Sequence, residues 1–169
     1  AEMRADAMAH LEAIGGLDTN GLPCGLCRYE EHWHPGVIGI VAGRVKDRVH
    51  RPVVAFAPDG EEGMRGSARS IPGVHIRDVL AAVNARHPEL IQRFGGHAMA
   101  AGLSMKAADF ERFDLAFTAE VERVVDPSAL EGWVTTDGEL GDAELGMTLA
   151  RAIRDGGPWG SAFPEPLFD

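Results

Sequence analysis

The run Pro52-Val53-Val54-Ala55-Phe56-Ala57 constrains this chain more than any other feature. It is continuously apolar, too short for a globular helix, and bounded by Arg51 and the turn Pro58-Asp59-Gly60. A strand with no polar face must be covered on both sides, so it is expected to be central in its sheet. The neighbouring sequence supplies further strands and helices. Residues 64–70 alternate with period two, which predicts a strand paired to the first across the Asp59 turn, with Arg65, Ser67 and Arg69 on one face. Shorter strands are predicted over 25–29 and 100–105. One helix is expected to open at His34-Pro35-Gly36, with proline in its first turn and an apolar stripe of Val37, Ile40, Val41 and Val45. A second, over 75–86, carries Ile76, Val79, Leu80 and Val83. A third, over 108–125, carries Phe110, Phe113, Phe117, Val121 and Val124, and Asp126-Pro127 closes it. Between the last two lie a loop through Pro88 and the glycine pair Gly95-Gly96. Strands alternating with helices predict an α/β domain built on one mixed β-sheet flanked by helices.

The length of 169 residues suits one complete core plus extra elements. Residues 1–16 read as a linker helix, with Met3, Ala7, Leu11 and Ile14 at helical spacing and Gly15-Gly16 at its end. Residues 17–126 form the domain just described. Beyond Pro127 the pattern restarts, with a strand expected over 133–135 and a helix over 142–154, so 127–169 reads as the start of another module. The chain opens at Ala1 and stops after Phe163-Pro164-Glu165-Pro166-Leu167-Phe168, and the expectation is a fragment whose last module is truncated. No apolar stretch is long enough for a membrane span and no signal-peptide pattern opens the chain, so a cytoplasmic location is expected.

The net charge of −10 runs against a nucleic-acid partner, yet it is unevenly spread. Between Gly43 and Phe94 nine Arg and Lys face six acids, a local excess of +3 that leaves −13 for the rest. A basic binding face would produce this segregation, and so would solvated charges on helix surfaces.

Three motifs carry candidate chemistry. In Phe94-Gly95-Gly96-His97-Ala98-Met99-Ala100-Ala101-Gly102, glycines and small residues bracket a histidine. Such a loop can bring main-chain N–H groups and His97 against a phosphate, or can be a tight turn feeding a strand. In Arg65-Gly66-Ser67-Ala68-Arg69-Ser70, alternate guanidinium and hydroxyl groups can hold a phosphate by charge-assisted hydrogen bonds, or protect an edge strand. Trp33 and His34 precede a predicted helix start, where an aromatic platform and helix N-terminus could receive a base and its phosphate. Core packing is the competing account of Trp33. Cys24 and Cys27 with His32 and His34 offer metal-ligand types, but cysteines within a strand are poor zinc ligands and free thiols are the simpler account. No dense Asp and His cluster of the kind that holds two divalent ions is present, so catalysis is not expected from this segment alone.

Four stretches in order, Trp33-His34-Pro35-Gly36-Val37-Ile38-Gly39-Ile40, Arg51-Pro52-Val53-Val54-Ala55-Phe56, Gly66-Ser67-Ala68-Arg69-Ser70 and Gly95-Gly96-His97-Ala98-Met99-Ala100-Ala101-Gly102, resemble the DHH-associated domain of the RecJ family. The tail from Gly157-Pro158-Trp159-Gly160 to Phe168 resembles that family's entry into an oligonucleotide-binding barrel. The resemblance implies a 5′→3′ exonuclease on single-stranded DNA, serving recombinational and mismatch repair, with Mn²⁺ or Mg²⁺ held in a DHH domain upstream of Ala1. It implies that Ser67 and Arg69 help hold the 5′ end and that the Gly95-Gly96-His97 loop faces the cleft; with the motif readings above, Arg65, Gly95, Gly96, Trp33 and His34 are expected on the nucleic-acid surface. The resemblance further implies that His97 supports catalysis across the cleft, and that a single-stranded-DNA-binding protein and a helicase are partners. Two other readings are related phosphodiesterases of short oligonucleotides or cyclic dinucleotides, and an RNA-binding module like that of alanyl-tRNA synthetases.

Overall fold

The computed structural model describes residues 21–133, 135–160 and 163–169, so the helix expected over 2–14 lies outside the described residues. In chain order the elements are β1 (Leu26–Tyr29), α1 (Ile38–Val49), β2 (Val53–Pro58), β3 (Gly63–Arg69), α2 (Ile76–Arg86), β4 (Arg93–Gly96), β5 (Ala100–Lys106), α3 (Phe110–Val124) and α4 (Met147–Gly156). One five-stranded sheet has the order β1-β2-β3-β5-β4, with β1 parallel to β2 and every other pair antiparallel. The expected mixed sheet flanked by helices is therefore present.

β2 explains the layering. Val53 to Ala57 are completely buried, and their alternate side chains feed two separate apolar clusters. Val53, Ala55 and Ala57 pack with Leu26, Trp33 and the α1 stripe Ile38, Val41, Ala42, Val45 and Val49. Val54 and Phe56 pack on the other side with Val79, Leu80 and Val83 of α2 and Phe113, Phe117 and Val121 of α3. Phe56 meets Phe113 edge-on at 5.5 Å, and Phe113 stacks on Phe117 at 5.8 Å, geometries that aromatic quadrupoles favour.

The structure departs from the sequence reading in five places. α1 begins at Ile38, because residues 34–37 form a turn closed by the Val37 N–H donating to the His34 carbonyl at 2.9 Å. Its buried stripe is accordingly rotated: Ile38 and Val49 are inside, whereas Ile40 is 46% exposed. The glycine pair is not a loop, since Arg93 to Gly96 pair with β5 as an edge strand. α3 is preceded by a 3₁₀ turn, Ala107–Asp109, so its regular part starts at Phe110, which is only partly buried. Finally, Trp133 and Thr135 are not in a strand. The last helix starts at Met147, because Gly141 to Glu144 form a turn in which the Glu144 carboxylate accepts from the Gly141 N–H.

The chain divides into two compact units, Ala1–Gly132 and Trp133–Asp169. The second has no buried residue among those described. It is held by Trp159 stacked on Phe163 at 4.7 Å, by the Trp159 indole N–H donating to the Ile153 carbonyl, and by main-chain bonds of Asp137 and Leu140 to Leu167 and Asp169.

Candidate nucleic-acid interface

Antiparallel pairing puts opposed residues on the same face of a sheet. On β3, Met64, Gly66 and Ala68 are buried, while Arg65 is exposed and Ser67 and Arg69 are half-exposed. The register then builds three rows across β3, β5 and β4 on this outer face. Arg65 and Arg93 both oppose Ser104; Ser67 and Gly95 both oppose Gly102; Arg69 opposes Ala100. The hairpin beyond Gly96 continues the third row, with the His97 N–H donating to the Ala100 carbonyl at 2.8 Å. α1 packs against β2 and β3, and on β5 and β4 this face is open, with Gly102, Lys106, Arg93 and Gly95 exposed. A depression of about 710 Å³ lies there, with Arg65, Arg93, Gly95, Gly102 and Ser104 in its lining.

Ser67 and Arg69 are set before any ligand arrives. The Arg69 Nη1 donates to the Ser67 Oγ at 3.0 Å and to the Ala68 carbonyl at 2.8 Å. α1 crosses directly above them at Gly39, where an added Cβ would lie 2.8 Å from Arg69 Nη2 and 3.2 Å from Ser67 Oγ. Gly39 thus leaves the space that the guanidinium occupies. No carboxylate pairs with Arg69 or Arg93 among the described residues. An arginine fork without an internal acid, at the border of an open face, suits a phosphate oxygen pair. Arg65 differs: its Nη2 lies 3.1 Å from Asp59 Oδ2 and its Nε donates to the same oxygen. Ser70, next in sequence, is internal and donates from its hydroxyl to the Val74 carbonyl.

The loop carrying His97 is tied down on both sides. The Ser70 N–H donates to the Met99 carbonyl and the Ile76 N–H to the Ala98 carbonyl, so His97 is exposed on a fixed hairpin. The two motif glycines serve different ends. Gly96 has φ 145°, and a Cβ there would fall 2.4 Å from the Ala100 carbonyl oxygen and 2.5 Å from the Ala101 Cα. A Cβ at Gly95 would meet nothing within 4 Å.

Trp33 requires a correction. It is only 6% exposed and belongs to the α1 cluster, so its ring faces are used by the core and offer no platform for a base. His34 is exposed, and its Nδ1 accepts from the Gly36 N–H at 3.0 Å, which stabilises the turn before α1. The basic segment is also not one face. Arg51 donates to the Val49, His50 and Leu130 carbonyls, and Arg86 is paired with the buried Glu120. Arg93 and Ser104 are candidate interface residues that sequence reasoning missed, and only the pairing register could have pointed to them; Gly39 and Gly102 lie within the sequence motifs, which assign them no role.

A mixed sheet with two helices behind it, one in front, and an open arginine- and glycine-lined outer face defines the class. Residues 23–123 match the DHHA1 domain, and the chain belongs to that family. Within it, the chain is 48% identical over 167 residues to the single-stranded-DNA-specific exonuclease RecJ of Salmonella typhimurium, covering 99% of this chain and 29% of that relative. It is 51% identical over 148 residues to RecJ of Escherichia coli, covering 88% and 26%. Its structure is similar to that of RecJ from Thermus thermophilus in complex with Mn²⁺, with TM-score 0.77 and 28% identity, over 99% of this chain and 24% of that one. The chain thus spans less than a third of the length of these relatives. Among its described residues no three His, Cys, Asp or Glu converge on a metal position. Cys27 is buried in the core and Cys24 packs against the same cluster. The described residues do not fit a divalent-ion site.

Proposed function

We propose that this chain is the strand-gripping C-terminal part of a 5′→3′ single-stranded-DNA exonuclease acting in recombinational and mismatch repair in the cytoplasm. The observation that carries this reading is the Ser67–Arg69 pair, half-exposed, preorganised under Gly39 beside the open face of β5 and β4, and free of any internal carboxylate among the described residues. That is the arrangement a terminal phosphate needs: a guanidinium fork and a hydroxyl already in place, so little side-chain ordering is left to binding. The RecJ names of relatives at about half identity support the substrate class. In this reading residues 17–126 grip the strand, residues 127–169 begin an oligonucleotide-binding barrel, and residues 1–16 lead from a DHH domain that holds Mn²⁺ or Mg²⁺. His97, on its fixed hairpin in the Arg69 row, faces the scissile phosphate in a supporting role. Gly95 and Gly96 let the strand approach the main chain, and His34 borders it. A single-stranded-DNA-binding protein and a helicase deliver the strand.

Fluorescence anisotropy of the chain with short single strands bearing a 5′-phosphate or a 5′-hydroxyl, at low and moderate salt, tests the reading. Tighter and salt-sensitive binding of the phosphorylated strand is expected, and Arg69→Ala should abolish the preference and reduce the salt slope by about 0.7, one counterion's worth on a single strand. Equal affinity of the unaltered chain for both ends would overturn it.

A further inference from the structure

We infer that the row Arg65–Ser104–Arg93 is a second phosphate subsite, which holds the backbone of the same strand at a distance from its end. The inference rests on the reading of Ser67 and Arg69 as the end site. It adds Arg93, Ser104 and the floor between them as binding residues.

Three observations carry it. The first is spatial convergence. Arg65 and Arg93 both oppose Ser104 in the register, so the two arginine Cα atoms stand two strand spacings apart, roughly 10 Å, with a hydroxyl between them. Two arginine side chains of ordinary reach close over that span around one phosphate. The second is charge. The Arg93 side chain is exposed and has no hydrogen bond or ion pair among the described residues. Arg65 is held toward the same depression by Asp59 on the rim, and Lys106 lies two residues beyond Ser104 on the same face. The third is the floor. Between this row and the Arg69 row lie Gly102 and Gly95. A Cβ at Gly95 would touch nothing, and one at Gly102 would come no closer than 3.8 Å to another atom. Neither has a left-handed φ. Packing and backbone conformation therefore do not ask for glycine at either place, whereas a sugar-phosphate chain lying across the sheet does.

The geometry also sets the ligand's length. Arg65 and Arg69 are four residues apart on one strand, about 13 Å, several times the ~3.4 Å rise per phosphate of a stacked strand. One mononucleotide cannot reach both rows. The subsite is thus a length sensor: it adds affinity only for strands that cross the glycine floor. Binding there exchanges the Arg65–Asp59 ion pair for an Arg65–phosphate contact, and Asp59 opposes the phosphate.

The test measures anisotropy of the 169-residue chain with two 5′-phosphorylated, fluorescein-labelled probes, a thymidine dinucleotide and an oligothymidylate of about eight nucleotides. Arg93→Gln should weaken the longer probe about tenfold and lower its salt slope by about 0.7, leaving the dinucleotide unchanged. Arg69→Ala should weaken both. Asp59→Asn should tighten the longer probe alone. The Arg93 side chain is exposed and free of internal bonds, so its variant keeps the fold, and Arg93→Lys should restore most of the salt slope. If Arg93→Gln binds the longer strand as the unaltered chain does, while Arg69→Ala is weakened, the second subsite is refuted and the end site stands. Equal weakening of both probes by Arg93→Gln would place Arg93 at the end site and likewise refute it. No binding of either probe by the unaltered chain would overturn both readings.

Discussion

Adjacent glycines in the Gly95-Gly96-His97 motif should respond to alanine in opposite directions. At Gly96 the backbone has φ 145°, which L side chains rarely adopt, and the added Cβ would collide with the Ala100 carbonyl oxygen and Ala101 Cα at 2.4 and 2.5 Å. Both are main-chain atoms of the paired strand, so the hairpin must deform. Strain at such a position costs about 1–3 kcal/mol, and overpacking adds about 1–3 kcal/mol more. At Gly95 the Cβ meets nothing within 4 Å. Alanine there mainly restricts the unfolded chain, which should stabilise the fold by about 0.4–1 kcal/mol. Urea unfolding followed by far-ultraviolet circular dichroism measures both shifts. Gly95→Ala should raise the midpoint and Gly96→Ala should lower it by several times as much. Gly95→Val, which fills the depression more, should keep the gain in stability and weaken single-stranded DNA about tenfold. Equal destabilisation by the two alanines would refute the packing argument. A stabilised Gly95→Val with unchanged affinity would show that no ligand crosses the glycine floor.

Two predictions concern the buried side of the domain. Glu120 is 2% exposed and is held by Arg86 and by the Arg123 Nη2 at 2.6 Å, whereas both arginines are more than half exposed. Arg86→Ala combined with Arg123→Ala strands a buried carboxylate and should cost about 3–5 kcal/mol in urea unfolding. Glu120→Leu leaves two hydrated arginines and should cost markedly less; the reverse order would refute this. Burial, with Asp114 adding to it, pushes the Cys27 thiol well above its ordinary range. Its stabilising effect is therefore complete below the unfolded value near 8.5 and declines as pH rises beyond it, because the unfolded thiol ionises first. In the native state an aromatic disulfide reagent should modify the half-buried Cys24 well before Cys27, and Cys27→Ala should flatten the alkaline fall in the urea midpoint. Equal reactivity of the two thiols would overturn this assignment.

The parts of the fold legible in the sequence are those where one interaction dominates. β2 is uninterrupted apolar sequence because both faces are fully covered, and Arg65, Ser67 and Arg69 alternate with buried residues because the outer face of β3 is covered only in part. α2 is legible almost to the residue, since its stripe and its start at His75, whose side chain accepts from the Asp78 N–H, agree. Where competing interactions decide, the sequence misleads. Gly95 and Gly96 suggest a turn by propensity, yet pairing with β5 holds them as a strand. Trp33 stands among polar and turn residues, and its burial follows only from the way α1 folds back over β1 and β2. Arg93 and Ser104 are eleven positions apart in the sequence, and nothing but the hairpin register makes them neighbours.

The same period-two rule that shapes the sheet divides each motif between folding and binding. In Gly66-Ser67-Ala68-Arg69-Ser70, the first, third and fifth residues turn inward. A Cβ at Gly66 would fall 2.6 Å from Phe56 and 2.7 Å from Leu103, Ala68 is completely buried, and Ser70 bonds the Val74 carbonyl. Ser67 and Arg69 turn outward. A substitution at an inward position should act on stability first and on binding only as a consequence, whereas one at an outward position should act on binding with stability preserved. The motif is therefore not one functional unit but two interleaved ones. Loss of DNA binding by a Gly66 variant says nothing about contact with DNA unless the domain is first shown to be folded.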